Sequence, residues 1–163
     1  MKTSSQPSPT SQVIFMIGGP AAGKSTVAAE KFSHLPLVDS DEWKKQHPDF
    51  DPKNVTEEIH RWSSKMATRE FYGHLSEGIP FVMDGTGTNI EKYLTWIKNA
   101  HEAGYETRLV YVTCSLRTAL KRNQERSRTV PQNILKEKHQ QVGTAFEILS
   151  QYADHSEIIN TEV

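Results

Sequence analysis

The sequence has little cysteine, no long apolar run and almost no net charge. Its single cysteine, Cys114, cannot form a disulfide within the chain, which is typical of a reducing compartment such as the cytoplasm. No run approaches the roughly 20 apolar residues of a membrane-spanning helix. The 19 Lys and Arg residues nearly balance 20 Asp and Glu residues, so no overall charge attracts nucleic acid or a membrane surface. We therefore expect a globular cytoplasmic protein that binds neither.

Two functional motifs are also missing. The seven histidines show no metal-ligand spacing and the pattern H-E-x-x-H does not occur, which argues against a structural zinc site. The guanine-reading pattern N-K-x-D does not occur either. ATP is therefore favoured over GTP at any nucleotide site.

The composition divides the chain into a short tail and one domain. Residues 1–12 are rich in Ser, Thr, Pro and Gln, which predicts a disordered tail. Residues 13–163 contain no repeat and no linker, and their number suits a single domain with its own core.

A complete phosphate-binding loop of the form G-x-x-x-x-G-K-[ST] follows the apolar run 13–17 and precedes a helical pattern. Glycines at both ends let successive backbone N–H groups converge on one point, which the start of the helix makes more positive. Lys24 is expected to bind the β- and γ-phosphates and Ser25 to ligate Mg²⁺. The predicted nucleotide-binding residues are Gly18, Gly19, Pro20, Ala21, Ala22, Gly23, Lys24, Ser25 and Thr26.

Apolar runs alternate with helical patterns along the rest of the chain. The predicted strands are 13–17, 35–39, 79–84, 107–113 and 157–160. This alternation predicts an α/β fold, namely a P-loop NTPase three-layer α/β/α sandwich with a mostly parallel five-stranded sheet. The carboxyl ends of such strands share one edge, where ligands bind.

Two predicted strands end in carboxylates beside this loop. Asp41 is the candidate general base for a substrate hydroxyl, and Asp39 is a supporting carboxylate that binds substrate or a magnesium water. Helix capping is the alternative, because Asp41 or Ser40 can cap the short helix predicted over 42–46. Asp84 is expected to orient Mg²⁺ or to hydrogen-bond an acceptor hydroxyl, and a turn-forming Asp before Gly is the alternative.

Uncharged polar side chains and arginines complete the predicted site. Thr86, Thr88 and Asn89 suit an acceptor substrate, although Asn89 is also expected to cap the next helix. Arg122 and Arg128 belong to a local basic cluster that could close over a transferring phosphoryl group. A solvated basic helix face is the alternative for these arginines.

The chain resembles the zeta-toxin family of small P-loop kinases. Four stretches carry this resemblance: the loop 18–25, the segment 38–48 (VDSDEWKKQHP), the segment 84–89 (DGTGTN), and Arg122 with the run 128–131 (RTVP). The resemblance implies a P-loop kinase domain over 13–163 that uses ATP and Mg²⁺. It further implies that Lys24 binds triphosphate, that Asp41 activates a substrate hydroxyl, and that Arg122 and Arg128 clamp phosphate.

The resemblance also bears on the acceptor. The family's known acceptor is UDP-N-acetylglucosamine, and Asp84 and Thr86 match a substrate-binding Glu and Thr. Asp84 is shorter than that Glu, and Thr88 stands where the family loop typically carries an arginine. A neutralising antitoxin is a further partner raised by the resemblance, although nothing in the sequence itself indicates one.

Three functional hypotheses follow. The first is a kinase that transfers the γ-phosphate of ATP to a hydroxyl of a small molecule, with a UDP-sugar as the acceptor suggested by the family. The second is a polynucleotide 5′-hydroxyl kinase, which the mild acidity of the chain argues against. The third is a non-kinase module that binds or hydrolyses ATP.

Overall fold

A five-stranded sheet forms the centre of the computed structural model, which describes residues 11–126 and 129–162. Its strands lie in the order β2-β3-β1-β4-β5. They are β1 (Gln12–Ile17), β2 (Leu37–Asp39), β3 (Phe81–Gly85), β4 (Glu106–Thr113) and β5 (His155–Asn160). All neighbouring strands run parallel, so the sheet predicted to be mostly parallel is parallel throughout.

Helices cover both faces of this sheet. They are α1 (Lys24–Lys31), α2 (Ser40–Lys45), α3 (Glu57–Glu77), α4 (Ile90–Glu102), α5 (Leu116–Gln124) and α6 (Gln132–Leu149). Helix α1 packs on one face, and α3, α4 and α6 pack on the other. This arrangement confirms the predicted three-layer α/β/α sandwich. Of the helices in the described residues, none is long and apolar enough to cross a membrane.

Strand β1 explains why the sheet is buried on both faces. Val13, Phe15 and Ile17 point to the layer of α3, α4 and α6. Ile14 and Met16 point to the α1 layer. All five side chains are at most 1% exposed, as expected for the central strand of a parallel sheet covered by helices on each side.

Some predicted boundaries shift by a few residues. Strand β1 begins at Gln12, which was assigned to the tail, and the Ser11 carbonyl accepts a hydrogen bond from the Glu106 N–H (2.9 Å). Residues 1–10 lie outside the described residues, so the tail remains a prediction there. Helix α3 begins at Glu57, where Thr56 caps it, and it ends before Gly78, whose φ is 72°.

The carboxyl ends of the strands meet at one edge of the sheet. Strand register aligns Asp39 with Asp84 across β2 and β3, and it aligns Ile17 with Gly85 across β1 and β3. The phosphate loop, the start of α2 and the loop before α4 therefore leave the sheet side by side, although they are far apart in sequence.

Candidate active site

The phosphate loop connects Ile17 of β1 directly to Lys24 of α1. Gly23 has a φ of 101°, which favours glycine. A Cβ at Gly18 would lie 2.6 Å from the carbonyl oxygen of Val112, so only glycine fits where the loop passes β4. The Ala22 N–H donates to the Gly19 carbonyl (3.2 Å) and closes the turn.

The start of α1 has the features of an anion site. Gly23 is its N-cap and has no side chain, so no side-chain cap covers the first N–H groups of the helix. Unsatisfied N–H groups and the helix dipole favour a bound phosphate at such a position. Ser25 and Thr26 in this first turn are exposed, and the Ser25 hydroxyl suits the coordination of Mg²⁺.

Lys24 links the phosphate loop to β3. Its Nζ atom lies 3.3 Å from Asp84 Oδ1 and donates a hydrogen bond to the Gly85 carbonyl oxygen (3.2 Å). Asp84 Oδ1 is buried, and its contact with Lys24 Nζ is an ion pair. Within the described residues, this oxygen accepts no hydrogen bond. A buried carboxylate oxygen of this kind fits a magnesium ion or its water, since Mg²⁺ prefers oxygen ligands.

Asp39 and Asp84 form a pair of neighbouring carboxylates on adjacent strands. Burial, together with the nearby charge of Asp84, raises the pKa of Asp39 to about 6. Burial also raises the pKa of Asp84, while Lys24 opposes this rise. Two carboxylates this close disfavour simultaneous ionisation, which a cation at the site would relieve.

Asp41 lies in the first turn of α2, one residue beyond the strand end. Its carboxylate is 71% exposed and its Oδ1 atom lies 2.7 Å from Lys44 Nζ. Its charge contributes to raising the pKa of both Asp39 and Asp84, so the three carboxylates form one electrostatic group.

The cap of α2 differs from the prediction. Asp39, and not Ser40 or Asp41, caps the helix by accepting the Asp41 N–H at Oδ1 (2.9 Å). The strand therefore passes directly into the helix, and Asp41 lies in its first turn and not at the N-cap position. Trp43 of α2 donates a hydrogen bond from Nε1 to the Glu70 carboxylate of α3 (2.9 Å), which connects the two helices.

The loop between β3 and α4 carries the uncharged polar side chains that the sequence predicts for the site. The hydroxyl oxygens of Thr86 and Thr88 lie 3.3 Å apart. Asn89 caps α4 as predicted by accepting the Lys92 N–H (3.2 Å). Gly87 has a φ of 85°, and a Cβ there would lie 2.6 Å from Ile17. Beside the loop is an open pocket of about 430 Å³, lined by Thr88, Asn89, Ile90, Gln140, Gln141 and Thr144.

A second open pocket lies between α3 and the first turn of α4. Its volume is about 700 Å³, and it is lined by Arg61, Ser64, Lys65, Thr68, Arg69, Tyr72 and Lys92. Lys92 donates to the Ser64 hydroxyl (3.2 Å) and its Nζ atom lies 4.7 Å from the centre of the Trp96 ring. Four cations thus line one groove in a nearly neutral chain, and we call it the basic groove.

Of the two predicted phosphate-clamping arginines, the structure describes only Arg122. Arg122 lies beside the phosphate loop, where its guanidinium donates to the Thr161 carbonyl oxygen (2.5 Å) and to Thr161 Oγ1 (2.9 Å). Arg128 lies outside the described residues. A phosphate-clamping role for either arginine remains a prediction, and these contacts show that Arg122 is already engaged by Thr161.

Several residues at this edge were not predicted from the sequence. Thr161 contacts the loop through Ala22, and His139 of α6 hydrogen-bonds the Cys114 carbonyl (2.8 Å) next to Gly19. Three of the four cations of the basic groove, Arg61, Lys65 and Arg69, recur every four residues along α3. That spacing was the available signal for the groove, whereas Thr161 and His139 have no local sequence signal.

Comparison with known proteins supplies the family. The zeta toxin of Enterococcus hirae is 30% identical over 111 residues, which cover 61% of this chain and 38% of that protein. The chain thus spans well under half the length of such relatives. A structure from the PezAT chromosomal toxin–antitoxin system of Streptococcus pneumoniae matches with a TM-score of 0.74 and 17% identity over 96% of this chain and 70% of that chain.

A shikimate kinase from Aquifex aeolicus matches with a TM-score of 0.60 and 17% identity over 90% of this chain and 86% of that chain. At these identities the structural likenesses show a shared P-loop kinase fold. The sequence model of the family described as Zeta toxin matches residues 1–162. The chain therefore belongs to the zeta toxin family.

Proposed function

We propose that this chain is an ATP- and Mg²⁺-dependent kinase that phosphorylates a hydroxyl group of a small molecule, with Asp41 as the general base. The observation that carries the proposal is the meeting of Lys24 and Asp84 at 3.3 Å, next to Asp39 and Asp41. This arrangement combines a phosphate loop with a group of carboxylates at one sheet edge, which is the set of parts that phosphoryl transfer to a hydroxyl needs.

The residues for the cofactors follow from the same contacts. The N–H groups at the start of α1 and the ammonium of Lys24 would hold the triphosphate of ATP. The Ser25 hydroxyl and the buried Asp84 carboxylate would hold Mg²⁺, directly or through water. When bound, the metal supplies positive charge for the phosphate oxygens.

The chain's own groups account for the proton and the charge. Asp41 accepts the proton of the acceptor hydroxyl while the hydroxyl oxygen forms a bond to the γ-phosphorus. At the same time the bond between this phosphorus and the oxygen that bridges to the β-phosphate breaks, and ADP leaves. Asp41 suits a base because its carboxylate is exposed to incoming substrate at the sheet edge that carries the phosphate loop. Lys24 stabilises charge on the phosphate oxygens.

A UDP-sugar is the acceptor that we propose first. The basic groove carries the cations that a diphosphate would need. Thr88 stands where the family resemblance implies an arginine, and Lys92, four residues later in the first turn of α4, supplies a cation to the basic groove. Thr86, Thr88 and Asn89 would contact the sugar, together with Asp39 and Asp84.

The decisive experiment measures ATP consumption with Mg²⁺, with and without UDP-N-acetylglucosamine. We expect turnover that depends on the acceptor, and a fall of about 10²–10⁴-fold in Asp41→Asn with ATP affinity retained. Glu42→Gln is a matched control, because Glu42 is the neighbouring exposed acid and pairs with Lys45 at the same i,i+3 spacing. Unchanged turnover in Asp41→Asn would refute the base assignment.

Polynucleotide 5′-hydroxyl kinase activity is the second candidate, and the basic groove favours it as well. Phosphorylation of an oligonucleotide end that weakens steeply with salt would support it over a small-molecule acceptor. Slow ATP hydrolysis that no acceptor stimulates would instead favour a non-kinase ATP module.

A protein partner is a further part of the proposal. The matched PezAT structure comes from a toxin–antitoxin system, and we extend such a pairing to this chain. Expression in bacterial cells without a partner should then slow growth, and the Asp41→Asn protein should not. Equal growth with both proteins would count against a toxin role.

A further inference from the structure

The segment that follows β5 is attached to the back of the phosphate loop. Thr161 Oγ1 donates a short hydrogen bond to the Ala22 carbonyl oxygen (2.6 Å). The Thr161 N–H donates to the Thr113 carbonyl (2.8 Å) at the end of β4. Thr161 therefore connects the loop to the edge of the sheet through one hydroxyl and one backbone group.

Arg122 holds Thr161 in this position. One guanidinium nitrogen donates to Thr161 Oγ1 (2.9 Å) and the other to the Thr161 carbonyl oxygen (2.5 Å). The first nitrogen also lies 3.4 Å from the Ala22 carbonyl oxygen. The planar fork of arginine suits two such contacts at once, which lysine cannot reproduce.

These contacts orient a peptide plane of the loop. In a trans peptide the C=O and the following N–H point in opposite directions. Thr161 and Arg122 hold the Ala22 carbonyl, so the Gly23 N–H is directed away from them. Gly23 is the N-cap of α1, and N–H groups at this position bind phosphate oxygens in a loop of this kind. The positive charge of Arg122 behind the carbonyl also polarises this peptide in the direction that strengthens its N–H as a donor.

The outer end of the segment is anchored as well. Glu162 accepts the Ser115 N–H at the start of α5 (2.8 Å) and the Thr118 hydroxyl. These bonds hold the pKa of the Glu162 carboxyl below its ordinary value. Thr161 is thus fixed from both sides, and its hydroxyl is a rigid support for the loop.

We propose that Thr161 and Arg122 are positioning residues for a triphosphate, which act by fixing the Ala22–Gly23 peptide from behind the phosphate loop. The proposal rests on the proposed function only in taking a triphosphate as the ligand of this loop. It requires neither an acceptor nor phosphoryl transfer.

The test compares Thr161→Val, which removes the hydroxyl at nearly constant shape, with Thr161→Ser, which keeps it. The probes are inorganic tripolyphosphate with Mg²⁺ and a non-hydrolysable ATP analogue, measured by calorimetry. We expect Thr161→Val to weaken tripolyphosphate binding about 5- to 10-fold, the loss of one hydrogen bond to an aligned group. Thr161→Ser should stay within about 2-fold of the unmodified protein.

Further variants separate positioning from general stability. Thr95→Val is the matched control, because Thr95 is an exposed threonine of α4 whose hydroxyl bonds only a carbonyl of its own helix among the described residues. Arg122→Lys should also weaken tripolyphosphate binding. If Thr161→Val does not fold, Arg122→Lys serves as the test variant in its place. Combining the two changes should weaken binding by less than the product of the separate effects, since both act on one peptide.

Specific outcomes would overturn the proposal. A lower melting temperature of Thr161→Val with unchanged tripolyphosphate affinity at 25 °C would indicate a structural role alone. Weaker binding of adenosine with unchanged tripolyphosphate binding would move Thr161 to a base-binding role. Failure of all acceptors to stimulate ATP consumption, with the affinity differences intact, would reject the kinase proposal and leave the positioning role supported.

Discussion

Replacement of Asp39 by asparagine should stabilise the protein at neutral pH. Asparagine caps helices as well as aspartate does, so Asp39→Asn should keep the hydrogen bond to the Asp41 N–H that begins α2. What it removes is the negative charge beside Asp84. The variant therefore separates the structural role of Asp39 from the effect of its charge.

The sign follows from the pKa. Burial and Asp84 raise the pKa of Asp39 from 3.8 to about 6 in the folded protein. A carboxyl with a raised pKa binds more protons when folded, so its ionisation weakens folding as the pH rises. The penalty is absent well below pH 3.8, is still small at pH 4, grows between pH 4 and 6 and is complete above pH 6.

The magnitude follows from the same shift. Two pKa units correspond to about 3 kcal/mol, and partial exposure of Asp39 reduces this to about 1–2 kcal/mol through solvent screening. Urea unfolding of both proteins at pH 4 and pH 7.5 measures the difference. We expect Asp39→Asn to be more stable by about 1–2 kcal/mol at pH 7.5 and by much less at pH 4.

Asp39→Ala provides the control for capping, since it should lose about 1 kcal/mol relative to Asp39→Asn at both pH values. Magnesium should reduce the difference in unfolding free energy between Asp39→Asn and the unmodified protein at pH 7.5 if the carboxylates bind it. The reason is that a cation favours the ionised form of Asp39. A difference between Asp39→Asn and the unmodified protein that does not change with pH would refute the reasoning.

Three glycines give further predictions, each checked by urea unfolding. Gly18→Ala should lose about 2–4 kcal/mol and weaken ATP binding, because the new Cβ would meet the Val112 carbonyl at 2.6 Å. Gly87→Ala should lose about 2–3 kcal/mol, since φ is 85° and Ile17 leaves no room. Gly73→Ala is the control inside α3, where nothing lies within 4 Å, and it should gain about 0.5–1 kcal/mol. A destabilised Gly73→Ala, or a Gly18→Ala protein as stable as the unmodified one, would contradict the inference of stability from the distances around each added Cβ.

Much of the fold could be predicted from the sequence because its signals are local. The apolar run 13–17 lies in the central strand and both faces of it are buried. Asn89 is predicted as a helix cap and caps α4, since capping depends on the residue itself and its close neighbours. Parallel strands then bring Lys24 and Asp84 together, although 60 positions separate them.

The back of the phosphate loop could not be predicted in the same way. Arg122 was interpreted from its cationic neighbours on α5, and charge pattern along a helix does not identify a partner 39 residues away. Thr161 is an ordinary threonine in the sequence. Its contact with Ala22 exists only because β5 pairs with β4 beside the loop, so it depends on the completed sheet.

The carboxylates of the site indicate that their charges serve a purpose other than folding. Asp39 needs only a side-chain oxygen to cap α2, and an amide would provide it. Its charge instead lies beside Asp84, where both pKa values are raised and ionisation opposes folding. Lys24 offsets part of this repulsion, but the same ammonium is the group expected to bind phosphate. A group of carboxylates whose ionisation opposes folding at neutral pH, and whose repulsion a divalent cation would relieve, supports the proposed binding of Mg²⁺ and substrate at this edge.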